Sequence, residues 1–441
     1  MSYNSAGLYL NYIFDLNGRR LDMGGSCGRF FSPLFFRLWI PFGFAFCLGM
    51  FIGSVNSVLA PYITEEFSLT PAALGFVSSM NLAAFGIAQL PLGLMLDRFG
   101  GKVTLIVMLS FALAGTFLFG CARSYVMLIC ARALIGFGFA AALMSAFKSF
   151  AHWLPQEYLP LAFSLESMMG GIGVMSATRP VTLALQFCSW RKIMFAAAAA
   201  VLVAILLLVF LAPRETANRG GPRQSLWRAA KEMFGFVTDK RFLYVAPVVA
   251  VADGVLFSFA YLWIGPWLRD VAMLEGSSAG LMMLLSSTGI AAGYLLNGVI
   301  ASFLSRKGWL TWEEFYFFAG ALFTAVVAAI AFFGGPAAPL WCCVMFSATM
   351  TMISFSITGR LFEPSVSGRA FSLLNFTIFV VSFLLQWFIG VIINLYPVSG
   401  GKFAAEGYHW ALVFIVALSA AALAQLFFAL PKLKKLGKNP K

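Results

Sequence analysis

The chain has 441 residues, of which 61% are hydrophobic and only 11% are charged. A soluble protein of ordinary composition has about 25% charged residues, so these values exclude a large soluble domain and indicate that lipid surrounds much of the chain. The formal net charge of +13 does not indicate a nucleic-acid partner, because the basic residues lie in short segments between long apolar runs. The seven cysteines and two histidines show no spacing typical of a metal site or a disulfide framework.

Residues 1–36 precede the first long apolar run. Their own short apolar stretch is broken by Asp15, Asn17 and Arg19, and the basic residues follow it. A secretory signal has its basic residues before an unbroken apolar core. We therefore predict a cytoplasmic amino-terminal extension at 1–36.

Long apolar runs dominate the rest of the chain, and a membrane-spanning helix needs about 20 such residues. The sequence therefore predicts an all-α membrane protein with twelve transmembrane helices. The predicted spans are 37–61, 71–96, 103–121, 125–149, 160–186, 191–212, 242–267, 277–303, 313–334, 337–359, 369–395 and 409–430.

One polar, basic stretch divides these spans into six and six. We therefore predict an amino-terminal six-helix bundle at 37–212, a cytoplasmic central loop at 213–241 and a carboxy-terminal six-helix bundle at 242–430. A basic cytoplasmic tail follows at 431–441.

The two halves share a short repeat. The tetrapeptide AFSL opens the fifth span at 162–165 and the eleventh span at 370–373. A match at corresponding positions of a six-plus-six arrangement indicates two halves of related structure.

The lysines and arginines are distributed unequally between the two sides of the predicted spans. Of the 30 lysines and arginines, five lie on one side of the membrane and two lie within the spans. The five are Arg123, Arg191, Lys192, Arg269 and Lys402, and the two are Arg132 and Arg179. The other 23 lie on the side that holds both termini, and an excess of positive residues marks the cytoplasmic side. We therefore predict a multi-pass protein of the bacterial inner membrane with both termini in the cytoplasm.

Residues 93–102 read GLMLDRFGGK and connect the second and third predicted spans. This segment resembles the loop signature of the major facilitator superfamily, Gly-x-Leu-x-Asp-Arg-x-Gly-x-Lys, at nearly every fixed position. Gly101 is a departure, because the family more often has a basic residue there. Residues 132–138 read RALIGFG and resemble the fourth-helix pattern of the same superfamily, Arg-x-x-x-Gly-x-Gly. The resemblance implies two pseudo-symmetric six-helix bundles and secondary transport.

By the same resemblance, five residues of the 93–102 segment form a gate and do not contact the solute. Asp97 would face the positive amino-terminal end of the eleventh helix. Arg98 and Lys102 would join a charge network that closes the cytoplasmic side. Gly93 and Gly100 complete the predicted gating set.

Two arginines lie inside predicted spans, where an uncompensated charge is costly and usually functional. Arg132 lies about 10 Å into the fourth span, at 1.5 Å per residue. Arg179 lies in the fifth span, directly before Pro180. We predict that both bind an anionic solute, with a structural ion pair as the alternative for Arg132. The sequence around Arg179 departs from the Gly-Pro pattern of drug–proton antiporters, which disfavours drug efflux.

Glu166 in the fifth span and Asp253 in the seventh are the acidic residues that lie well inside predicted spans. A low dielectric favours the protonated form of a carboxyl group, and such a group suits a proton carrier. We predict proton coupling at both and rank Asp253 first, because it lies near mid-membrane. The alternative for Glu166 is a salt bridge to a neighbouring helix or to the cytoplasmic gate.

Five uncharged residues complete the predicted solute site. They are Asn56, Tyr261, Trp263, Asn375 and Gln386. The alternative for the three amides is hydrogen bonding between helices. The alternative for the two aromatic residues is an ordinary belt at the membrane interface.

Enzyme motifs are absent from the sequence, since no phosphate-binding GxxxxGK[ST], no GxSxG and no HExxH occurs. The sequence therefore predicts a proton-coupled secondary active transporter of a small, anionic organic solute, acting by alternating access. We expect a monomer without metal or cofactor, whose partners are the solute, the proton and the lipid bilayer. A multidrug/proton efflux antiporter and a non-transporting membrane sensor or scaffold remain as alternatives.

Overall fold

The computed structural model describes residues 32–155, 158–215, 231, 233–398 and 401–438. The predicted amino-terminal extension and most of the predicted central loop lie outside the described residues. The end of the predicted basic tail also lies outside them.

The described part of the chain is a series of apolar helices joined by short connections. The first span consists of Pro33–Ser54 and Asn56–Phe67, and the helix Pro71–Gly120 contains the second and third spans. The remaining helices of the amino-terminal half are Tyr125–Phe139 and Ala142–Trp153 (fourth span), Leu159–Ser176 and Arg179–Ala184 (fifth), and Trp190–Phe210 (sixth).

The second half has the same arrangement of six spans. Its helices are Lys240–Ser258, the π-helix Phe259–Trp263 and Ile264–Asp270 (seventh span), Gly276–Arg306 (eighth), Trp312–Phe333 (ninth), the 3-10 turn Gly335–Leu340 with Trp341–Ala348 and Thr351–Leu361 (tenth), Pro364–Ile393 (eleventh) and Ala405–Lys438 (twelfth). The predicted all-α membrane fold of twelve spans in two bundles is confirmed. We call the membrane side on which the first span begins the near side and the opposite side the far side.

Ten helices within the described ranges are long and apolar enough to cross a membrane on their own. Helix Pro71–Gly120 is one of them, but its 50 residues are too many for one crossing. Gly100 has a backbone φ of 75° inside this helix, so the chain reverses there and the helix supplies two spans. The fifth span is not one of the ten, and its helix is interrupted next to Thr178.

Five spans are interrupted near their middle. The first is broken at Val55, the fourth at Ala140 and Ala141, and the fifth at Ala177 and Thr178. The seventh widens into a π-helix at Phe259–Trp263, and the tenth is broken at Thr349 and Met350. Four of these interruptions recur at every third span. Broken helices leave free backbone groups at mid-membrane, and such groups line solute and ion sites in transporters.

Charged pairs lie where the spans leave the membrane. Arg191 donates a hydrogen bond to Glu66 on the far side, and Lys402 bonds Glu275 at 2.7 Å on the same side. The hydrogen bond from Lys402 and its positive charge hold the pKa of Glu275 below its usual range. The attraction therefore exists at neutral pH and is lost as the pH falls through that pKa.

Candidate functional site between the two bundles

Close contacts join the two bundles at the level of the breaks and from there toward the far side. A Cβ atom on Gly265 of the seventh span would overlap the carbonyl oxygen of Ser57 of the first. A Cβ atom on Gly53 would lie 2.6 Å from the Tyr261 ring. Tyr261 also places its hydroxyl 3.5 Å from the sulfur of Met50. The seventh span thus packs against the first with no space for larger side chains.

Trp263 extends this contact to the second and eleventh spans. Its indole nitrogen donates a 2.9 Å hydrogen bond to the carbonyl oxygen of Gln386. Its ring packs on Gly75 of the second span and on Gly390 of the eleventh, where a Cβ atom would lie 3.2 and 3.0 Å from Cζ2. We call Gly53, Ser57, Gly75, Tyr261, Trp263, Gly265 and Gly390 the far-side seal. Tyr261 and Trp263, predicted to bind solute, lie in this seal.

A small void lies beside the seal, between spans of both bundles. Its volume is about 10 Å³, and it is lined by the hydroxyl-bearing residues Ser57, Thr178, Ser286 and Ser287 together with apolar side chains. A void of this size has room for about one water molecule. The path between the bundles is therefore closed on the far side in this conformation.

Arg132 is 1% exposed and lies between the first, third and fourth spans. Its guanidinium donates to the Ile52 carbonyl at 3.2 Å and to the side-chain oxygen of Asn56, and it stacks on Phe119 at 4.3 Å. Asn56 in turn donates to the hydroxyl of Ser78 in the second span. The break at Val55 follows Ile52, so Arg132 satisfies a carbonyl near the interruption of the first span. The structure thus brings together two predicted solute residues, Arg132 and Asn56.

No ion pair accompanies Arg132 in the part of the chain that the structure describes, so the predicted alternative of a structural ion pair is not seen there. Its Nε–H is also buried without a hydrogen-bond partner. Arg179 is half-buried at the break of the fifth span. Its Cα lies 3.2 Å from where a Cβ atom on Gly280 of the eighth span would stand. Arg179 therefore lies at the boundary between the bundles.

Glu166 lies in the near half of the fifth span and is fully buried. Both of its carboxyl oxygens lack a hydrogen-bond partner. One oxygen would lie 3.4 Å from a Cβ atom on Gly43, so the carboxyl group points toward the first span. The predicted alternative of a salt bridge to another helix is not seen among the described residues.

Asp253 is 2% exposed in the seventh span, six residues before the π-helix. Tyr294 of the eighth span and Tyr316 of the ninth lie near it. The Tyr316 hydroxyl donates to the Val245 carbonyl at 2.8 Å. Asp253 therefore lies inside the carboxy-terminal bundle, whereas Glu166 belongs to the amino-terminal bundle.

Gln386 and Asn375 lie on the eleventh span. Gln386 is fully buried, and both polar atoms of its amide lack a partner, although its backbone carbonyl accepts from Trp263. Asn375 is half-buried, eleven residues earlier, which is about 16 Å nearer the near side. Only Gln386 of this pair therefore reaches the far-side seal.

The near-side hairpin, residues 93–102, carries the three charged residues that the resemblance assigned to the gate. Asp97 accepts a 2.8 Å hydrogen bond from Lys148 of the fourth span, and both side chains are largely exposed. Arg98 stacks on the neighbouring Phe99 at 5.2 Å. Lys102 donates to two carbonyls at the end of the sixth span, Val209 at 2.9 Å and Ala212 at 2.6 Å.

Two glycines of this hairpin have different surroundings. A Cβ atom on Gly93 would meet no atom within 4 Å, whereas one on Gly100 would collide with Glu215. The carboxylate of Glu215 accepts from the backbone N–H of Gly101 at 2.7 Å and from the hydroxyl of Ser149. Lys148 and Glu215 were not predicted, because nothing in the sequence indicates which distant residue meets a hairpin.

The seal glycines and Ser57 were also missed. Their signal in the sequence is weak, since the chain contains 41 glycines and small residues occur in most spans. Only the rotation of each helix decides which of them face the opposite bundle.

Comparison with known proteins agrees with this architecture. The family model described as "Major Facilitator Superfamily" matches residues 42–386. A bacterial homologue of the human lysosomal transporter Spinster, in an inward-facing and occupied conformation, has a TM-score of 0.74 at 15% identity, covering 93% of this chain and 100% of that chain. A mutant of the nucleoside transporter NupG has a TM-score of 0.72 at 16% identity, over 89% and 99% of the two chains. At these identities the two structures support the fold alone.

Two curated relatives match parts of the sequence. The probable sulfoacetate transporter of Cupriavidus necator is 32% identical over 151 residues, which is 33% of this chain and 35% of that protein. The D-galactonate transporter of Escherichia coli is 24% identical over 272 residues, 57% of this chain and 63% of that protein. The chain thus matches about a third of the first relative and less than two thirds of the second. Because the family model matches well over half of it, the chain belongs to the Major Facilitator Superfamily.

Proposed function

We propose that the protein is a proton-coupled secondary active transporter of a small anionic organic solute, acting by alternating access. The two curated relatives are named for sulfoacetate and D-galactonate, both organic anions. The match to each is partial, so the names support the class of solute and not its identity.

The proposal of an anionic solute rests mainly on the positions of Arg132 and Arg179 and on their lack of ion-pair partners in the described part of the chain. Both lie beside helix breaks, and neither has an ion-pair partner among the described residues. The buried guanidinium of Arg132 is costly without a counter-charge, and the planar fork of either arginine suits a carboxylate or sulfonate. We propose that Arg179, at the boundary of the bundles, contacts the solute first. Arg132 and Asn56 then contribute positive potential and hydrogen bonds when the first span moves.

The distribution of basic residues supports a cytoplasmic near side and a bacterial inner membrane for this chain. On that basis the far side is external, and the far-side seal closes the external path. The conformation described is then a member of the alternating-access cycle in which the external path is closed. We propose that a monomer carries out the cycle, because each chain contains both bundles.

Proton coupling is proposed at Glu166 and Asp253. An ionised carboxylate that is buried without a hydrogen-bond donor is unstable, so we propose that Glu166 holds its proton in this conformation. Movement of the first span away from the fifth would hydrate the group and release the proton. Asp253 lies near mid-membrane in the opposite bundle and is the second proposed carrier.

Substitution of the two arginines tests the anionic solute. In proteoliposomes supplied with a panel of labelled short-chain carboxylates and sulfonates, Arg179→Gln and Arg132→Gln should each weaken uptake affinity about tenfold or more. This follows because a hydrogen bond to a charged group contributes about 1.5–3 kcal/mol. Arg179→Lys should lose less, since it keeps the charge but not the fork.

Arg191→Gln is the matched control. Arg191 pairs with Glu66 at the far end of the sixth span and belongs to no proposed solute contact. Its loss should leave uptake affinity unchanged. Full affinity in both the Arg132→Gln and Arg179→Gln variants would remove the anionic-solute proposal.

A further inference from the structure

Asp270 ends the seventh span and is the centre of a buried hydrogen-bond cluster on the far side. Its side chain is fully buried, and Arg269 reaches both carboxylate oxygens, at 2.6 and 3.1 Å. The same carboxylate accepts from the Tyr408 hydroxyl at 2.9 Å and from the Phe403 backbone N–H at 3.3 Å. Four donors therefore converge on one carboxylate, and two of them belong to the start of the twelfth span and the connection before it.

The cluster continues into the far-side seal. The Tyr408 ring meets the Trp263 ring edge to face, with centroids 6.2 Å apart and planes at 78°. Trp263 in turn bonds the Gln386 carbonyl and fills the space left by Gly75 and Gly390. A continuous chain of contacts thus runs from the Asp270 carboxylate, through Tyr408, to the indole that joins the two bundles.

We propose that Asp270 is a positioning residue of the far-side seal, which fixes Trp263 against the second and eleventh spans through Tyr408. The role goes beyond the proposed transport of an anion and does not depend on which solute is carried. Asp270 touches no solute in this arrangement.

The chemistry of the cluster explains why a carboxylate is needed. All four groups around Asp270 are donors, so only a group that accepts on both oxygens satisfies them. Arg269 is half-buried and compensates the charge, which makes burial of the carboxylate tolerable. An amide in its place would replace one accepting oxygen by an NH2 group, and this donor would then point at groups that are themselves donors. Tyr408 would then lose the bond that sets the angle of its ring against Trp263.

A labelling experiment tests this proposal without any solute. In a cysteine-free background carrying Ser286→Cys beside the void, a membrane-impermeant thiol reagent is added from the far side. Asp270→Asn should raise the labelling rate about tenfold, equivalent to about 1.4 kcal/mol in the balance between closed and open forms. Tyr408→Phe removes only the hydroxyl and should raise the labelling rate in the same direction.

The double variant distinguishes positioning from general damage. If Asp270 acts through Tyr408, Asp270→Asn combined with Tyr408→Phe should label no faster than Asp270→Asn alone. Glu275→Gln is the matched control, because it removes an exposed far-side carboxylate that bonds Lys402 and not Tyr408. Monodisperse Asp270→Asn and Tyr408→Phe proteins that label at the parent rate would overturn the proposal. A Glu275→Gln labelling rate as high as that of Asp270→Asn would also overturn it. Additive increases of the labelling rate in the double variant would do the same.

Discussion

Replacing Gly265 by valine should hold the far side open and reduce transport about tenfold or more. A Cβ atom at this position would overlap the backbone carbonyl of Ser57, which cannot rotate away as a side chain could. Overpacking of this kind costs about 1–3 kcal/mol, and here the cost falls only on the closed-far-side conformation. The measurement is solute exchange in proteoliposomes, together with far-side thiol labelling at Ser286→Cys.

Gly298→Val is the matched control for this prediction. Gly298 also lies inside a membrane helix, but a Cβ atom there would meet nothing within 4 Å. The same side chain and the same loss of backbone freedom are therefore introduced without a collision. Equal loss of transport in both variants would mean that the close contact at Ser57 does not matter.

Removing the proposed proton carriers should separate driven accumulation from exchange. Glu166→Gln keeps the size of the side chain but cannot bind and release a proton. A pH gradient should then no longer drive accumulation, while exchange of labelled for unlabelled solute at zero gradient should persist. Asp253→Asn should give the same separation if the second carboxyl also carries a proton on the transport path.

Comparing accumulation in the two single variants shows which of the two carboxyl groups carries the proton. Loss of accumulation in Glu166→Gln alone would assign the proton to the boundary of the first and fifth spans, and loss in Asp253→Asn alone to the carboxy-terminal bundle. Glu406→Gln, which removes an exposed carboxylate at the start of the twelfth span, serves as the control. Accumulation that survives in the double variant would show that no proton is coupled at these sites.

The number and order of the spans follow directly from the sequence. Runs of about 20 apolar residues have few alternatives to a membrane helix. The seventh span was predicted at 242–267 and is observed from Lys240 to Asp270. The observed helix is a few residues longer than the predicted span, because charged residues such as Lys240 can continue a helix beyond its apolar part.

The interruptions were predicted less well than the spans. The fifth span was predicted over 160–186, and its helix is broken at Thr178 and ends at Ala184. Pro180 was a signal for this interruption, because proline removes a backbone donor. The π-helix at Phe259–Trp263 has no such signal. It is defined by hydrogen bonds between turns, which no single residue determines.

The partners of the candidate residues could not be predicted from the sequence at all. Arg132 was correctly identified as an unusual buried charge, yet its contacts with Ile52 and Asn56 join positions about 80 residues apart. Such contacts depend on the rotation of two helices about their axes. Asp270 was not considered because it lies three residues beyond the predicted seventh span, next to Arg269, and the two look like an ordinary surface ion pair.

The measurement that tests the account most directly follows solute and proton together in proteoliposomes of the wild-type protein. An imposed proton gradient is combined with the panel of labelled short-chain carboxylates and sulfonates, while internal pH is recorded by an entrapped dye. We expect at least one of these anions to accumulate above its equilibrium level, with proton uptake that rises in proportion to anion uptake. Transport of an anion that neither responds to the gradient nor moves protons would contradict proton coupling. No movement of any anion of this class would contradict the proposed function itself.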